Sequence, residues 1–91
     1  MTDAVRDNTA RHRFEFEVEG HIAFSEYKRA DGVITITHTE VPPELNGKGI
    51  GSRLVRGLLD LVRAEGVKLK PLCPFVKSYI AKHPEYADLL A

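Results

Sequence analysis

Three features that would indicate a membrane protein, a secreted protein or a nucleic-acid binder are missing from this sequence. The longest apolar runs are short and interrupted, so none is long enough to cross a bilayer. Residues 1–12 are polar and of mixed charge, without the apolar segment of a signal peptide. The 13 basic and 13 acidic side chains cancel, whereas a nucleic-acid-binding domain normally has a basic excess. We therefore expect a cytoplasmic protein that binds neither membrane nor nucleic acid.

Cysteine is almost absent, since Cys73 is the only one in 91 residues. An internal disulfide is therefore impossible, which fits a reducing compartment. One cysteine and scattered histidines also give no paired ligand spacing, so we expect no metal site. The remaining composition, with 43% hydrophobic and 29% charged residues, is that of one ordinary globular domain with a modest core.

Three segments in the first half of the chain have the patterns of β-strands. Arg13–Glu19 and His21–Arg29 alternate between apolar and polar residues, and Val33–Val41 is rich in β-branched residues. The Asp31-Gly32 pair between the last two segments is a strong hairpin signal. We expect these segments to form an antiparallel three-strand meander.

The second half of the chain alternates between helix and strand. Ser52–Glu65 has apolar residues at helical spacing and is followed by Gly66, a typical residue at a helix C-terminus. Val67–Leu72 is a short fourth strand, and a second helix begins at Pro74 and is broken by Pro84. A helix that connects two strands makes them parallel. The predicted fold is α+β: a mixed sheet of a three-strand meander plus one parallel strand, with two main helices.

The predicted topology places a cleft at one edge of the sheet. We assign residues 1–12 to a flexible N-terminal arm and residues 13–91 to one domain, in which the two parallel strands end near Val41 and Cys73. Both helices begin at that edge, and helix N-termini favour anions because their N–H groups are unpaired. Ligands of parallel strands bind beyond the carboxyl ends. We therefore expect an anion-binding cleft whose walls include Glu40 and Cys73.

The turn into the first helix is rich in glycine and reads Asn46-Gly47-Lys48-Gly49-Ile50-Gly51. Glycine lets a phosphate approach the backbone amides without a Cβ in the way. The turn has neither the dinucleotide-binding spacing nor the P-loop ending. A flexible turn is the simpler interpretation of three glycines, but the position between a strand and a helix favours a phosphate-binding turn.

The same segment, extended to Leu54, resembles the pyrophosphate-binding segment of the GNAT N-acetyltransferases. Gly49 and Gly51 occupy the glycine positions of its Gln/Arg-x-x-Gly-x-Gly/Ala pattern, whereas Asn46 stands where Gln or Arg is usual. Further motifs resemble the short stand-alone GNAT-like proteins; they are Thr37–Pro43, Cys73–Val76, Tyr79–Ile80 and His83–Tyr86. The resemblance spans nearly the whole chain, and its motifs occur together and in order.

This resemblance implies a single acetyl-CoA-binding domain that transfers acetyl from acetyl-CoA, its co-substrate, to an amine. The amine attacks the thioester directly in most members. The acceptor, a small molecule or a protein, and the oligomeric state are not identified by the sequence. The residues implied to contact acetyl-CoA are Thr39, Val41, Asn46, Gly47, Lys48, Gly49, Ile50, Gly51, Ser52, Cys73 and Phe75.

Two residues are candidates for the base that removes the amine proton. Glu40 follows Ile36 and His38 on one predicted strand face, where it is either a solvated strand-end carboxylate or a general base. His38 is the other candidate, because histidine side chains in general have a pKa near neutrality, of roughly 6.5. For His38, however, the sequence favours a packed, hydrogen-bonded core histidine.

Cys73 and Tyr79 complete the candidate catalytic residues. A helix N-terminus lowers the pKa of a cysteine, so Cys73 either accepts the acyl group or lines the thioester pocket, and we favour lining. Tyr79 either protonates the departing thiolate or packs against Phe75, and we favour packing. On the same helix, Lys77 and Lys82 either only solubilise the surface or contact the 3′-phosphate of the nucleotide.

Two other functions fit the same sequence. One is a CoA-binding module without transfer activity, and the other is a protein-interaction module whose glycine turn is only a turn. The first keeps the Asn46–Gly51 turn and discards the catalytic roles. Release of CoA in the presence of amines distinguishes transfer from binding alone.

Overall fold

A computed structural model describes residues 5–91, and these residues form five strands and two α-helices. The strands lie side by side in chain order, antiparallel except for the last pair, which is parallel. The elements are β1 (Arg6–Asn8), β2 (Arg13–Val18), β3 (His21–Ala30), β4 (Val33–Glu40), α1 (Ile50–Glu65), β5 (Lys68–Pro71) and α2 (Pro74–Lys82). Three short 3-10 helices cover Thr9–Arg11, Pro43–Leu45 and Pro84–Leu89.

This architecture confirms the predicted α+β fold with its meander, β2 to β4, and its parallel strand, β5. The β3–β4 hairpin turns at Asp31 and Gly32, whose φ angles of 54° and 75° are those that an Asp-Gly turn requires. Helix α1 begins at Ile50, two residues before the predicted Ser52, and ends at Glu65, after which Gly66 caps it with a left-handed φ of 79°. Neither helix within residues 5–91 is long and apolar enough to span a bilayer.

The prediction of a flexible arm over residues 1–12 is wrong for the part that the structure describes as β1. Arg6–Asn8 is an antiparallel edge strand paired with β2. The side chains of Arg6 and Asn8 both donate hydrogen bonds to the carboxylate of Glu15, which is only 2% exposed. Polar side chains hold β1 in place, so its sequence lacks the alternation of apolar and polar residues that predicts a strand. Residues 1–4 lie outside the described part of the chain.

One face of the sheet carries the hydrophobic core. Its buried strand residues follow the two-residue period and are Phe14, Phe16, Ala23, Tyr27, Ile34 and Ile36. Helix α1 packs residues at helical spacing against them: Ile50, Leu54, Val55, Leu58, Leu59 and Val62. Helix α2 adds Val76 and Ile80 to the same cluster. The core therefore fixes both helices relative to the sheet.

A β-bulge in β4 decides which side chains face that core. The register of β4 against β3 shifts by one residue at Thr37. Ile36, before the bulge, is buried; beyond it Thr39 takes the core-facing position, and His38 and Glu40 turn to the opposite, exposed face. The prediction that His38 and Glu40 continue the face of Ile36 is wrong, because strict alternation has no signal for an inserted residue.

Strands β4 and β5 separate toward their C-terminal ends. Their ladder stops at the pair of Ile36 and Pro71. The carbonyl oxygen of Ile36 then accepts from the N–H groups of Leu72 (3.0 Å) and Cys73 (3.1 Å), which turns the chain into α2. Strand β4 continues for four more residues, Thr37–Glu40. The gap between the strands opens at the edge where both helices begin.

Candidate functional site

The glycine turn between β4 and α1 exposes backbone N–H groups. Gly47 and Gly49 have φ angles of 78° and 68°, a conformation that glycine adopts without strain. A Cβ at either position would meet no other heavy atom of the described chain within 4 Å, so the space beside the turn is open. The first hydrogen bond of α1 runs from the N–H of Arg53 to the oxygen of Gly49 (3.2 Å), so Gly51 and Ser52 donate to no carbonyl within the helix.

A cleft of about 250 Å³ opens over this turn; its lining residues are Val41, Leu45, Asn46, Gly47, Gly49, Ile50, Gly51, Ser52 and Phe75. Because Gly51 has no Cβ, the ring of Phe75 can pack close to the turn. A Cβ at Gly51 would lie 2.8 Å from Cζ of Phe75. The Phe75 side chain is apolar and yet 44% exposed. The cleft therefore combines amide donors on one side with apolar walls on the other.

Lys48, within the turn, forms an ion pair at the surface. Its ammonium donates to both carboxylate oxygens of Glu19, at 2.8 Å and 2.9 Å. The bond from Lys48 lowers the pKa of Glu19. The β2–β3 turn, which contains Glu19, thus contacts the glycine turn, and the cation of Lys48 is already partly neutralised.

Cys73 lies at the N-terminus of α2 and contacts β4. It is 5% exposed, and its thiol donates to Oγ1 of Thr39 over 3.4 Å. That oxygen shares a second hydrogen bond, of 2.7 Å, with Oγ of the fully buried Ser25. Burial acts to raise the pKa of Cys73, but the Thr39 hydroxyl and N–H groups at the start of α2 outweigh it, so the pKa is lowered.

Ser25 takes part in the contacts of Cys73 through Thr39, although the sequence alone did not predict it. It lies on β3 directly opposite Thr39, and its side chain has no exposed surface. The available signal is a small polar residue at a core-facing position between Ala23 and Tyr27. Only the bulge in β4 gives that residue a partner, and the bulge itself has no sequence signal.

His38 and Glu40 form a pair on the exposed face of the sheet. Nε2 of His38 lies 3.3 Å from Oε1 of Glu40, and the two side chains are 53% and 61% exposed. The ring of His38 also meets the ring of Phe24 edge-on at 6.3 Å. The packed core histidine favoured by the sequence is therefore wrong. The pair and Cys73 lie on opposite faces of the sheet, on either side of the gap between β4 and β5.

Tyr79 lies on α2, beside its C-terminal end. Its ring stacks on His83 at 4.1 Å and 25°, and Tyr86 is 6.3 Å away. The sequence favoured packing of Tyr79 against Phe75, but the ring contacts of Tyr79 are with His83 and Tyr86. Burial raises the pKa of Tyr79, so its hydroxyl keeps a proton well above neutral pH.

No group of three or more side chains within residues 5–91 has the composition and proximity of a metal site. The groups described at this site are amide donors, the thiol of Cys73, the hydroxyl of Tyr79 and the pair of His38 and Glu40.

Comparison with families of known proteins identifies the family of this chain. The model of the GCN5-related N-acetyltransferases matches residues 13–89. The chain belongs to this GCN5-related N-acetyltransferase family. The resemblance inferred from the glycine turn is thereby confirmed, and the family uses acetyl-CoA as co-substrate.

Relatives of this GCN5-related chain include a solved structure and curated sequences. The NMR solution structure of a GCN5-like protein from Staphylococcus aureus has a TM-score of 0.71 and 26% identity, covering 100% of this chain and 91% of that one. Protein NATD1 of Gallus gallus and of Homo sapiens is 33% identical over 52 residues, or 57% of this chain. These matches cover 47% and 46% of the relatives, so the chain spans about half the length of the NATD1 proteins.

Proposed function

We propose that this chain is an N-acetyltransferase that binds acetyl-CoA in the cleft between the starts of α1 and α2. The observation that carries the proposal is the glycine turn, whose open amides lie at Gly47–Ser52 beside the apolar walls formed by Val41 and Phe75. Backbone N–H groups at a helix start suit a pyrophosphate. The apolar walls and the gap between β4 and β5 suit the pantetheine arm. The described residues therefore fit the co-substrate of the family.

The proposed reaction moves one acetyl group. The amine nitrogen forms a bond to the thioester carbonyl carbon, the carbon–sulfur bond breaks, and the sulfur takes up a proton. Tyr79, which keeps its proton at neutral pH, is the proposed donor to the sulfur. Cys73 lines the thioester end of the cleft. Its low exposure and its bond to Thr39 support that role over a covalent one.

The proposed base is Glu40, acting with His38. A lysine-type amine has a pKa of about 10.4 and must lose a proton before it can attack. Because Glu40 and Cys73 lie on opposite faces of the sheet, the amine would approach the thioester from the exposed face, through the gap between β4 and β5. A protein side chain or a polyamine can reach such an open site.

The location of Glu40 and Cys73 on opposite faces of the sheet also favours a second candidate, a CoA-binding module without transfer activity. In that case the glycine turn would hold CoA while the exposed His38–Glu40 pair contacts only solvent. The two candidates differ in turnover and not in binding.

Chromatographic separation of CoA and acetylated product distinguishes them. Acetyl-CoA is incubated with the protein and a panel containing a lysine peptide, an N-terminal peptide and a polyamine. Transfer predicts CoA and acetylated amine in equal amounts for at least one acceptor. Binding of acetyl-CoA without product from any acceptor would contradict the transferase and support the binding module.

A further inference from the structure

An apolar groove of about 630 Å³ lies between β5, α2 and the segment that follows α2. Its apolar lining includes Leu69, Leu72, Ile80 and Leu90. None of the described residues that line it also lines the cleft over the glycine turn, which has less than half its volume. The groove is therefore a feature separate from the proposed acetyl-CoA site.

Two leucines give this groove an exposed apolar surface. Leu72, directly after β5, is 58% exposed, and Leu90 is 40% exposed. Leu69 and Ile80 line the same groove but are buried in the core, so they lie at its base. Exposed apolar side chains that are grouped together and rimmed by polar residues are typical of a surface that binds another molecule.

The charge of the groove is of one sign. Among its described lining residues, the two ionisable side chains are Lys70, on β5, and Lys77, on α2, so a lysine lies on each of two walls. Both are exposed, and within residues 5–91 neither ammonium has an ion pair, whereas the cations of Lys48 and Arg63 are paired with carboxylates. An anionic partner would therefore complement this groove.

The two lysines flank the apolar base, so a partner that complements both walls needs carboxylates on both sides of an apolar stripe. An amphipathic acidic helix has this arrangement, because leucines three and four residues apart form a stripe and glutamates can flank it. We propose that the groove docks an acidic amphipathic segment of a partner protein. Its apolar side chains would cover Leu72 and Leu90, and its carboxylates would pair with Lys70 and Lys77. The inference goes beyond acetyl transfer and does not depend on it.

Fluorescence anisotropy with three labelled peptides tests this docking. The probe is an amphipathic helical peptide of leucine and glutamate. In one control peptide lysine replaces every glutamate, and in the other alanine replaces every leucine. The wild type should bind the probe at least about tenfold more tightly than either control peptide, because each control lacks one of the two complementary features.

The apolar contact is tested by changing Leu72. Leu72→Asp should weaken binding of the probe about tenfold to a hundredfold, the value of burying one leucine side chain. Leu61→Asp changes an exposed leucine of α1 and is the matched control, which should retain the wild-type affinity. Thermal unfolding of each variant establishes that it is folded.

The charge contact is tested by reversing both lysines. The double variant Lys70→Glu/Lys77→Glu should weaken binding of the probe about tenfold, since two ion pairs are lost and repulsion replaces them. The double variant Lys28→Glu/Lys82→Glu also changes one exposed lysine on a strand and one on α2, and it alters the net charge by the same amount. This control should bind the probe as the wild type does.

Several results would overturn the inference. They are absence of binding, equal wild-type affinity for the three peptides, and equal losses in the groove variants and their controls. Wild-type binding to vesicles of phosphatidylcholine and phosphatidylserine that Leu72→Asp abolishes would instead assign the groove to a lipid surface. A wild-type dimer in analytical ultracentrifugation that Leu72→Asp dissociates would assign it to a second copy of this chain. All of these results leave the proposed acetyl-CoA site intact.

Discussion

At the scale of single residues, burial acts to raise the pKa of the Cys73 thiol, and the hydroxyl of Thr39 is the first of the groups that lower it. It lies 3.4 Å from the sulfur and is itself held by Ser25 at 2.7 Å. Thr39→Val removes a hydroxyl that can donate to the thiolate, so the pKa of Cys73 should rise. The ultraviolet absorbance of the thiolate during a pH titration measures this shift, and Cys73 is the only cysteine that contributes.

Thr37→Val is the matched control for that titration. Thr37 lies on the same strand but donates to the backbone oxygen of Glu26. The pKa of Cys73 should be the same in this variant as in the wild type. Equal shifts in both variants would assign the effect to a general disturbance of β4 and contradict the role given to Thr39.

The role of Cys73 itself can be decided by removing the thiol. If Cys73 lines the cleft, as we propose, Cys73→Ala should retain most of the turnover and change mainly KM. Intact mass spectrometry of the wild type mixed with acetyl-CoA should then show no added acetyl group. An acetylated wild type, together with an inactive Cys73→Ala protein, would instead establish a covalent intermediate.

Glu40 can be tested as the base through the pH dependence of turnover. Glu40→Gln should lower turnover at neutral pH by on the order of a hundredfold to ten-thousandfold and leave acetyl-CoA affinity unchanged. Much of the loss should be recovered at high pH, where the amine is already neutral. Glu26→Gln changes another exposed carboxylate, on the residue of β3 that lies opposite His38 in the strand register, and should be without effect. Wild-type turnover of Glu40→Gln at neutral pH would make His38 the next candidate.

At the scale of elements, β1 is attached to the sheet by the buried carboxylate of Glu15. Burial acts to raise the pKa of Glu15, but hydrogen bonds from Arg13, Asn8 and Arg6 outweigh it and lower the pKa. A lowered folded-state pKa means that this stabilisation is present above the unfolded-state pKa of about 4.3 and is lost as pH falls through the folded-state value.

Glu15→Gln should therefore destabilise the fold at neutral pH by about 1–3 kcal/mol, the cost of leaving charged donors without their buried acceptor. The difference from the wild type should shrink in acid. Glu17→Gln, on the same strand with its side chain 53% exposed, should change stability by less than about 0.5 kcal/mol. Thermal unfolding at neutral and at acid pH measures both. A constant difference at all pH values would contradict the assignment to the carboxylate.

The elements also show how much the sequence could predict. Periodicity was enough for β2, β3 and α1, because their buried faces follow strict periods of two or 3.6 residues. It could not predict β1, whose attachment depends on polar contacts of Glu15, nor the bulge at Thr37, which depends on pairing with β3. The bulge had the larger consequence, since it places Thr39, and not His38, at the core-facing position. The glycine turn was predicted because its conformation requires glycine locally.

At the scale of the whole molecule, the fold brings two helix N-termini to one edge of the sheet. The core packs both helices on β4 and β5, and the strands separate where the helices begin. The glycine turn and Phe75 meet there although they are more than twenty residues apart in the chain, and Cys73 contacts Thr39 of β4 nearby. The central claim is that acetyl-CoA binds at this edge through the amides of the glycine turn.

Calorimetric titration with acetyl-CoA of three folded proteins tests this claim most directly: the wild type, Gly49→Val and Gly32→Val. Both glycines have a left-handed φ, 68° and 75°, with open space beside them, so valine strains the backbone similarly at each. Gly32 lies in the β3–β4 hairpin, at the opposite end of β4 from the turn. If the amides of the turn hold acetyl-CoA, Gly49→Val should abolish binding while Gly32→Val retains the wild-type affinity. Undiminished binding by folded Gly49→Val, or equal loss in both variants, would contradict it.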